Sequence, residues 1–96
     1  MANHIMNSDA LDSAAGQVSG IAGNFASELS SLGALVQSTH EFWNDPAQQA
    51  FEMKYEQFKG TMNQFIEALN EYSSKMHSYA ENHRQQEIAG AQSFGI

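Results

Sequence analysis

Phe51, Tyr55, Phe58, Met62, Phe65, Leu69, Tyr72, Met76 and Tyr79 follow one another at alternating spacings of four and three, with His83 closing the series. A strand returns each face every second residue, so this alternation, unbroken for more than four heptads, requires a helix with one apolar stripe along its length. Such a stripe is stable only against another apolar surface, because a helix of this kind draws most of its stability from packing. The rest of the chain has to supply that surface.

The first half of the chain does so. Leu11, Ala15, Val18, Ala22, Phe25, Leu29, Leu32, Val36, Thr39 and Trp43 repeat the same spacing, and Ala14, Ile21 and Leu35 widen the stripe to three positions in seven. That width exceeds the need of a two-stranded contact and suits a helix with more than one neighbour. Between Asp12 and Glu41 the one charged residue is Glu28, and the opposite face is small and polar: Ser13, Gly16, Gly20, Gly23, Ser27, Ser30 and Ser31 among others. A glycine within a helix costs roughly 1 kcal/mol relative to alanine, so packing must hold a segment containing Gly16, Gly20, Gly23 and Gly33. Two readings of this face stand open, a smooth surface for the approach of another backbone or a tolerant solvent face.

Local signals set the boundaries. Asn7 can accept from free N–H groups of a first turn, with Met6 and Leu11 at the positions of a hydrophobic staple, so helix one is expected over about 8–42. A turn follows over about 43–46: Asn44 tolerates unusual backbone angles, Asp45 is a good N-cap and Pro46 suits the first helical position. Gln48, three residues after Asp45, can complete a capping box. Helix two is expected over about 47–86, and residues 87–96, with two glycines and little pattern, as a mobile tail. So short a connection forces an antiparallel arrangement.

The expected fold is therefore all-α, a single antiparallel two-helix hairpin. Ninety-six residues bury a modest share of their surface, and one hairpin covers only one side of Phe25, Phe58, Phe65 and Tyr72. Pairing into a four-helix bundle would bury the remainder. The expected hairpin and dimer core comprises Leu11, Val18, Phe25, Leu29, Leu32, Val36, Phe51, Phe58, Met62, Phe65, Leu69, Tyr72, Met76 and Tyr79. The formal charge of −7 argues against nucleic acid and anionic membrane surfaces. No apolar run reaches the length of a membrane span, the first residues lack a signal-peptide pattern, and the absence of cysteine leaves no disulfide or thiolate site.

With its Trp43 turn, followed by Ala47, Ala50 and Phe51, the chain resembles the WXG family of small type VII secreted proteins, the early secreted antigenic target superfamily. The resemblance covers nearly the whole chain: length, central Trp, acidic charge, and absence of Cys and of a signal peptide. It implies a two-helix hairpin exported by a type VII machine without a Sec signal peptide, cytoplasmic before export, as a homodimer or as a heterodimer with a related hairpin. It also implies that the turn motif, Trp43, Asn44 and Asp45, contacts the secretion machinery. Two departures stand out. Asp45 occupies the place of the family's Gly, where Asn44, Asp45 and Pro46 can serve the same turn. The export signal of Tyr, three residues, then Asp or Glu is absent, since Tyr79 is followed at that distance by His83 and Tyr72 by Met76.

Nothing in the sequence points to catalysis or a cofactor. No nucleophile turn, glycine-rich phosphate loop or paired-carboxylate setting occurs, and a thin rod offers little concave space. His77 and Glu81 lie one helical turn apart and His4 falls near His83 at the hairpin ends, but a metal site needs three or four convergent ligands, so no metal is expected. Trp43 reads either as a plug closing the bundle end or as a half-exposed anchor. The functional expectation is a non-enzymatic type VII effector or secretion component; an adaptor for a larger toxin and an intracellular coiled-coil scaffold are the alternatives.

Overall fold

The computed structural model describes residues 6–93, with side-chain surroundings through residue 86. Helix α1 spans Ser8–Ser38, a 3-10 turn covers Thr39–Glu41, and helix α2 spans Pro46–Ser93; no strand occurs among the described residues. The two helices lie antiparallel and form a rod measuring 75 × 19 × 19 Å. A helix rises about 1.5 Å per residue. The 48 residues of α2 therefore account for nearly all of the rod's length.

α1 starts where Asn7, in extended conformation, accepts from the Ala10 N–H at 3.0 Å, while Asp9 places a negative charge in the first turn. Its end differs from the expected residue 42. Ser38 Oγ donates to the Leu35 carbonyl at 2.7 Å and Thr39 Oγ1 to the Val36 carbonyl at 2.6 Å. These hydroxyls take up carbonyls of the last turn, and the chain tightens into the 3-10 turn that ends with Phe42 N–H bonded to the Thr39 carbonyl. The far boundary differs too. α2 continues through Ser93, whereas the sequence pattern predicts a mobile tail over 87–96. Fading of an apolar stripe removes a packing partner but not helix propensity, and Gln86, Glu87, Ala89 and Ala91 are good helix formers around one tolerated glycine, Gly90. Residues 94–96 of that tail lie outside the described residues.

The seam between the helices uses half of each four-three stripe. On α1 the buried residues are Ser8, Ala15, Ala22, Leu29 and Val36, one every seven positions. Facing them, Gln48 is buried and Tyr55, Met62, Leu69, Met76 and His83 are half-buried at the same seven-residue interval, flanked by half-buried Ile66 and Ser73 and buried Ala80. Alanines at 15, 22 and 80 let the backbones approach, and the approach permits Ser73 Oγ to donate to the Ala15 carbonyl at 2.7 Å. Full burial of a Leu or Val is worth roughly 1.5–3 kcal/mol, so a seam whose fully buried apolar members are three alanines, Leu29 and Val36 makes a thin core for a chain of this length.

Gly33 is the glycine of α1 whose missing side chain is used within the chain. The Tyr55 phenol crosses over it to donate to the Leu29 carbonyl at 3.3 Å, and a Cβ on Gly33 would lie 2.6 Å from that hydroxyl. Around Gly16, Gly20 and Gly23 a Cβ would meet open space.

Candidate interaction surface

The other half of each stripe faces outward, and both halves face the same way. Phe51, Phe58, Phe65, Tyr72 and Tyr79, again one every seven residues, form a single row on α2 with exposures between 40% and 63%. Beside this row α1 presents half-buried Leu11 and Val18 and the more exposed Phe25 and Leu32. Phe25 and Phe65 meet with ring centroids 5.5 Å apart. This edge-to-face contact ties the two rows into one surface, and near the turn Leu32, Phe51 and Phe58 line a shared apolar hollow. Ile21 and Leu35 extend the surface along the outer edge of α1, both exposed. Of the expected core residues, then, Leu29 and Val36 are buried in the hairpin, while Met62, Leu69 and Met76 are half-buried on its seam. Phe25, Leu32, Phe51, Phe58, Phe65, Tyr72 and Tyr79 stay open to solvent in one chain.

By the same seven-residue register, Glu28, Lys54 and Lys75 are the charged residues along the margins of this surface. Of the acidic residues whose side chains are described, all but Glu28 therefore fall elsewhere. The aromatic surface is thus poor in acidic groups for so acidic a chain.

The turn is held by side chains. Asp45 Oδ1 accepts from the Gln48 N–H at 3.0 Å, and the Asp45 carbonyl receives the N–H groups of Gln48 and Gln49. The Gln48 side chain does not complete the expected capping box. It is 1% exposed and turns inward, where its amide N–H donates to Thr39 Oγ1 at 3.1 Å while Oε1 is left without a partner. Asn44 donates to the His40 carbonyl, which fixes its amide so that Oδ1 faces His40 Nδ1 at 2.9 Å; the other ring nitrogen meets Glu52 at 2.7 Å. Two acceptors around one imidazole call for protons on both nitrogens. The bond to Asn44 first, and then Glu52, accordingly raise the His40 pKa. Trp43 is half-buried and packs against Phe51 with centroids 5.6 Å apart, so its indole continues the aromatic row, while neighbouring Phe42 is 76% exposed.

A second polar cluster joins the helices at the open end. His77 Nδ1 bonds Asp12, raising the histidine pKa and lowering that of the carboxyl, mainly through the hydrogen bond itself. Arg84 reaches Asp9 at 2.9 Å, Glu81 at 2.7 Å, Asp12 at 3.5 Å and the Ser8 carbonyl at 3.3 Å, and Ser8 Oγ lies 2.9 Å from His83 Nδ1. His77 is thus committed to Asp12, and His4 lies outside the described residues. Among the described residues no three His, Cys, Asp or Glu side chains converge as a metal site, and no helix is long and apolar enough to cross a membrane.

A two-helix rod with a Trp at its turn and an uncovered aromatic face defines a class of small helical-hairpin proteins. Residues 5–88 match the family described as proteins of 100 residues with WXG, WXG100. The chain belongs to that family. Solved structures agree: a point mutant of the secreted protein EsxB from Bacillus anthracis str. Sterne is 26% identical, with a TM-score of 0.81 over 88% of this chain and 96% of that one. Selenomethionine-labelled EsxB from the same organism is 25% identical with a TM-score of 0.81, over 91% and 99% of the two chains. A comparison with curated proteins found no match.

Proposed function

We propose that this chain is a non-enzymatic protein exported by a type VII secretion machine, and that it acts through protein contacts as a dimeric helical bundle, either an effector or a component of the secretion system. The observation that carries the reading is the aromatic row from Phe51 to Tyr79, which one hairpin leaves uncovered. Monomeric proteins rarely expose so long a contiguous apolar strip. The surface area points the same way. A compact monomer of 10.6 kDa exposes about 5,500 Å², whereas this rod exposes 7109 Å². The excess on this one chain is about twice a single partner's share of a standard interface, roughly 800 Å². A second copy is a suitable occupant, since the joined faces would bring together few acidic groups. Family membership and the likeness to the secreted protein EsxB support the export part of the reading.

Light scattering at micromolar concentration tests the assembly: the reading expects twice the chain mass, and a stable monomer would sink the homodimer. Export is tested by detecting the protein in culture supernatant with the secretion ATPase intact and deleted. Supernatant protein in both strains would refute a type VII route.

One observation favours a heterodimer, with this chain as the adaptor for a larger helical partner. The position that would hold the acid of a Tyr-x-x-x-acid signal is His83, whose ring bonds Ser8, so a partner chain would have to provide that carboxylate. Co-expression with neighbouring reading frames separates the two, because capture of a helical partner at the expense of self-association favours the adaptor.

A further inference from the structure

On the side of the hairpin turned away from the aromatic face, a groove of about 590 Å³ lies between α1 and the first turns of α2. Buried Val36 and half-buried Tyr55 form its floor, and Met53 stands on its wall, 66% exposed. The groove depends on Gly33, since only the missing Cβ lets the Tyr55 ring lie across α1. Met53 is otherwise unaccounted for. In the seven-residue register it shares its row with Gly60, Glu67, Ser74 and Glu81, so it is an apolar residue on a polar side of α2, and a dimer formed through the aromatic face leaves it in solvent. Glu52 and Glu56, one helical turn apart, also line the groove, and no Lys, Arg or His does. One oxygen of Glu52 meets His40, and one of Glu56 meets Lys59 at 3.4 Å in an exposed pair. A carboxylate can accept several hydrogen bonds, so both groups keep capacity for a further cation.

The geometry points to a second docking surface here, one that takes an amphipathic helix of a partner protein, apolar side on Tyr55, Val36 and Met53, with Lys or Arg at its edge against Glu52 and Glu56. Two helices lying side by side leave a trough whose long direction is the rod axis, a shape suited to a third helix. The acidic wall selects the sign of its charge, and an exposed methionine adapts to varied apolar side chains. The groove is formed within a single hairpin, so it neither requires the dimer nor competes with it.

The test is a titration of the 15N-labelled full chain with a synthetic amphipathic helical peptide of Leu, Ala and Lys, alongside the same peptide with Glu in place of Lys. The Lys peptide is expected to give saturable amide shifts at Gly33, Gln37, Met53 and Gln57. Glu56→Gln should weaken its binding by about threefold and Met53→Ser by about tenfold. Both positions are exposed, so the variants keep the fold, and circular dichroism verifies it. Absence of saturable shifts, shifts centred on Phe58, Phe65 and Tyr72, equal binding of the Glu peptide, or unchanged affinity in both variants would each overturn the proposal. Light scattering on the same samples reports the dimer separately, so either reading can fail alone.

Discussion

The four glycines of α1 allow a differential test of the packing. Gly20→Ala places a methyl group in open space at a helical position, where alanine is better than glycine by roughly 1 kcal/mol. For a domain of this size that corresponds to a rise in Tm of about 4–8 °C. Gly16→Ala and Gly23→Ala should behave alike. Gly33→Ala gains the same propensity but drives a methyl group to 2.6 Å from the Tyr55 hydroxyl. The phenol must then swing toward the groove and give up its bond to the Leu29 carbonyl, a loss of about 1 kcal/mol before any loss of packing. The two effects nearly cancel, so Gly33→Ala should be neutral or destabilising by about 1 kcal/mol. In a Tyr55→Phe background the nearest obstructing atom is absent, and the gain from Gly33→Ala should largely return. Thermal unfolding followed by circular dichroism at one fixed protein concentration measures all of these, fixed because association makes Tm concentration-dependent. A Gly33→Ala variant stabilised as much as Gly20→Ala would refute the close approach of Tyr55. Conversely, a Gly20→Ala variant whose Tm fell further behind the unsubstituted protein as both were concentrated would show a partner backbone on the small-residue face.

Phe58→Asp and Phe65→Asp should convert the proposed dimer to a monomer in light scattering while retaining helical circular dichroism, because neither ring is buried in the hairpin. His40 and His77 both have raised pKa values, so the stability they add is complete below about pH 6.5 and is lost as pH rises through their folded-state values. Asp12 has a lowered pKa, so its contribution holds above about pH 4 and fades as pH falls through its folded-state value. Melting temperature should therefore be higher near about pH 5.5 than at about pH 8, and His40→Gln with His77→Gln should flatten that difference; an unchanged profile would rule out these two bridges. Asp45→Ala removes the acceptor for the Gln48 N–H and should cost about 1 kcal/mol in denaturant unfolding. Ser73→Ala, which deletes the bond to the Ala15 carbonyl, should cost a similar amount, about 1 kcal/mol.

The hairpin was legible because one physical rule, apolar residues at spacings of four and three, governs nearly all of it. That rule could not divide the stripe between partners. Phe58 and Met62 belong to one pattern, yet one points outward and the other inward, since the choice is made by which rows the opposing helix can fill. The small residues carried a usable hint: Ala15, Ala22 and Ala80 mark the row where the backbones approach. The turn was readable from Asp45 and Pro46, but the inward Gln48 and the His40 bridge were not, because they depend on the 3-10 turn that brings Thr39 and His40 over the start of α2. The groove escaped notice because its floor is built from Gly33 and Tyr55, which lie on different helices and far apart in the sequence. The end of α2 was misplaced because loss of periodicity reports loss of a neighbour and says nothing of helix propensity.

The rod is 19 Å across in both short directions and 75 Å long. Among the described residues no level holds more than two helices, and at the open end α2 runs on past the start of α1, so the rod is widest where the two helices lie side by side. A conduit slightly wider than the rod would pass one such chain lengthwise with its fold intact, whereas two chains joined along the aromatic row need twice that clearance in one direction only. Unfolding before passage is unnecessary in the first case, and in the second a slot serves where a round hole would not. For a molecule of this calibre, passage is decided by the number of rods lying abreast.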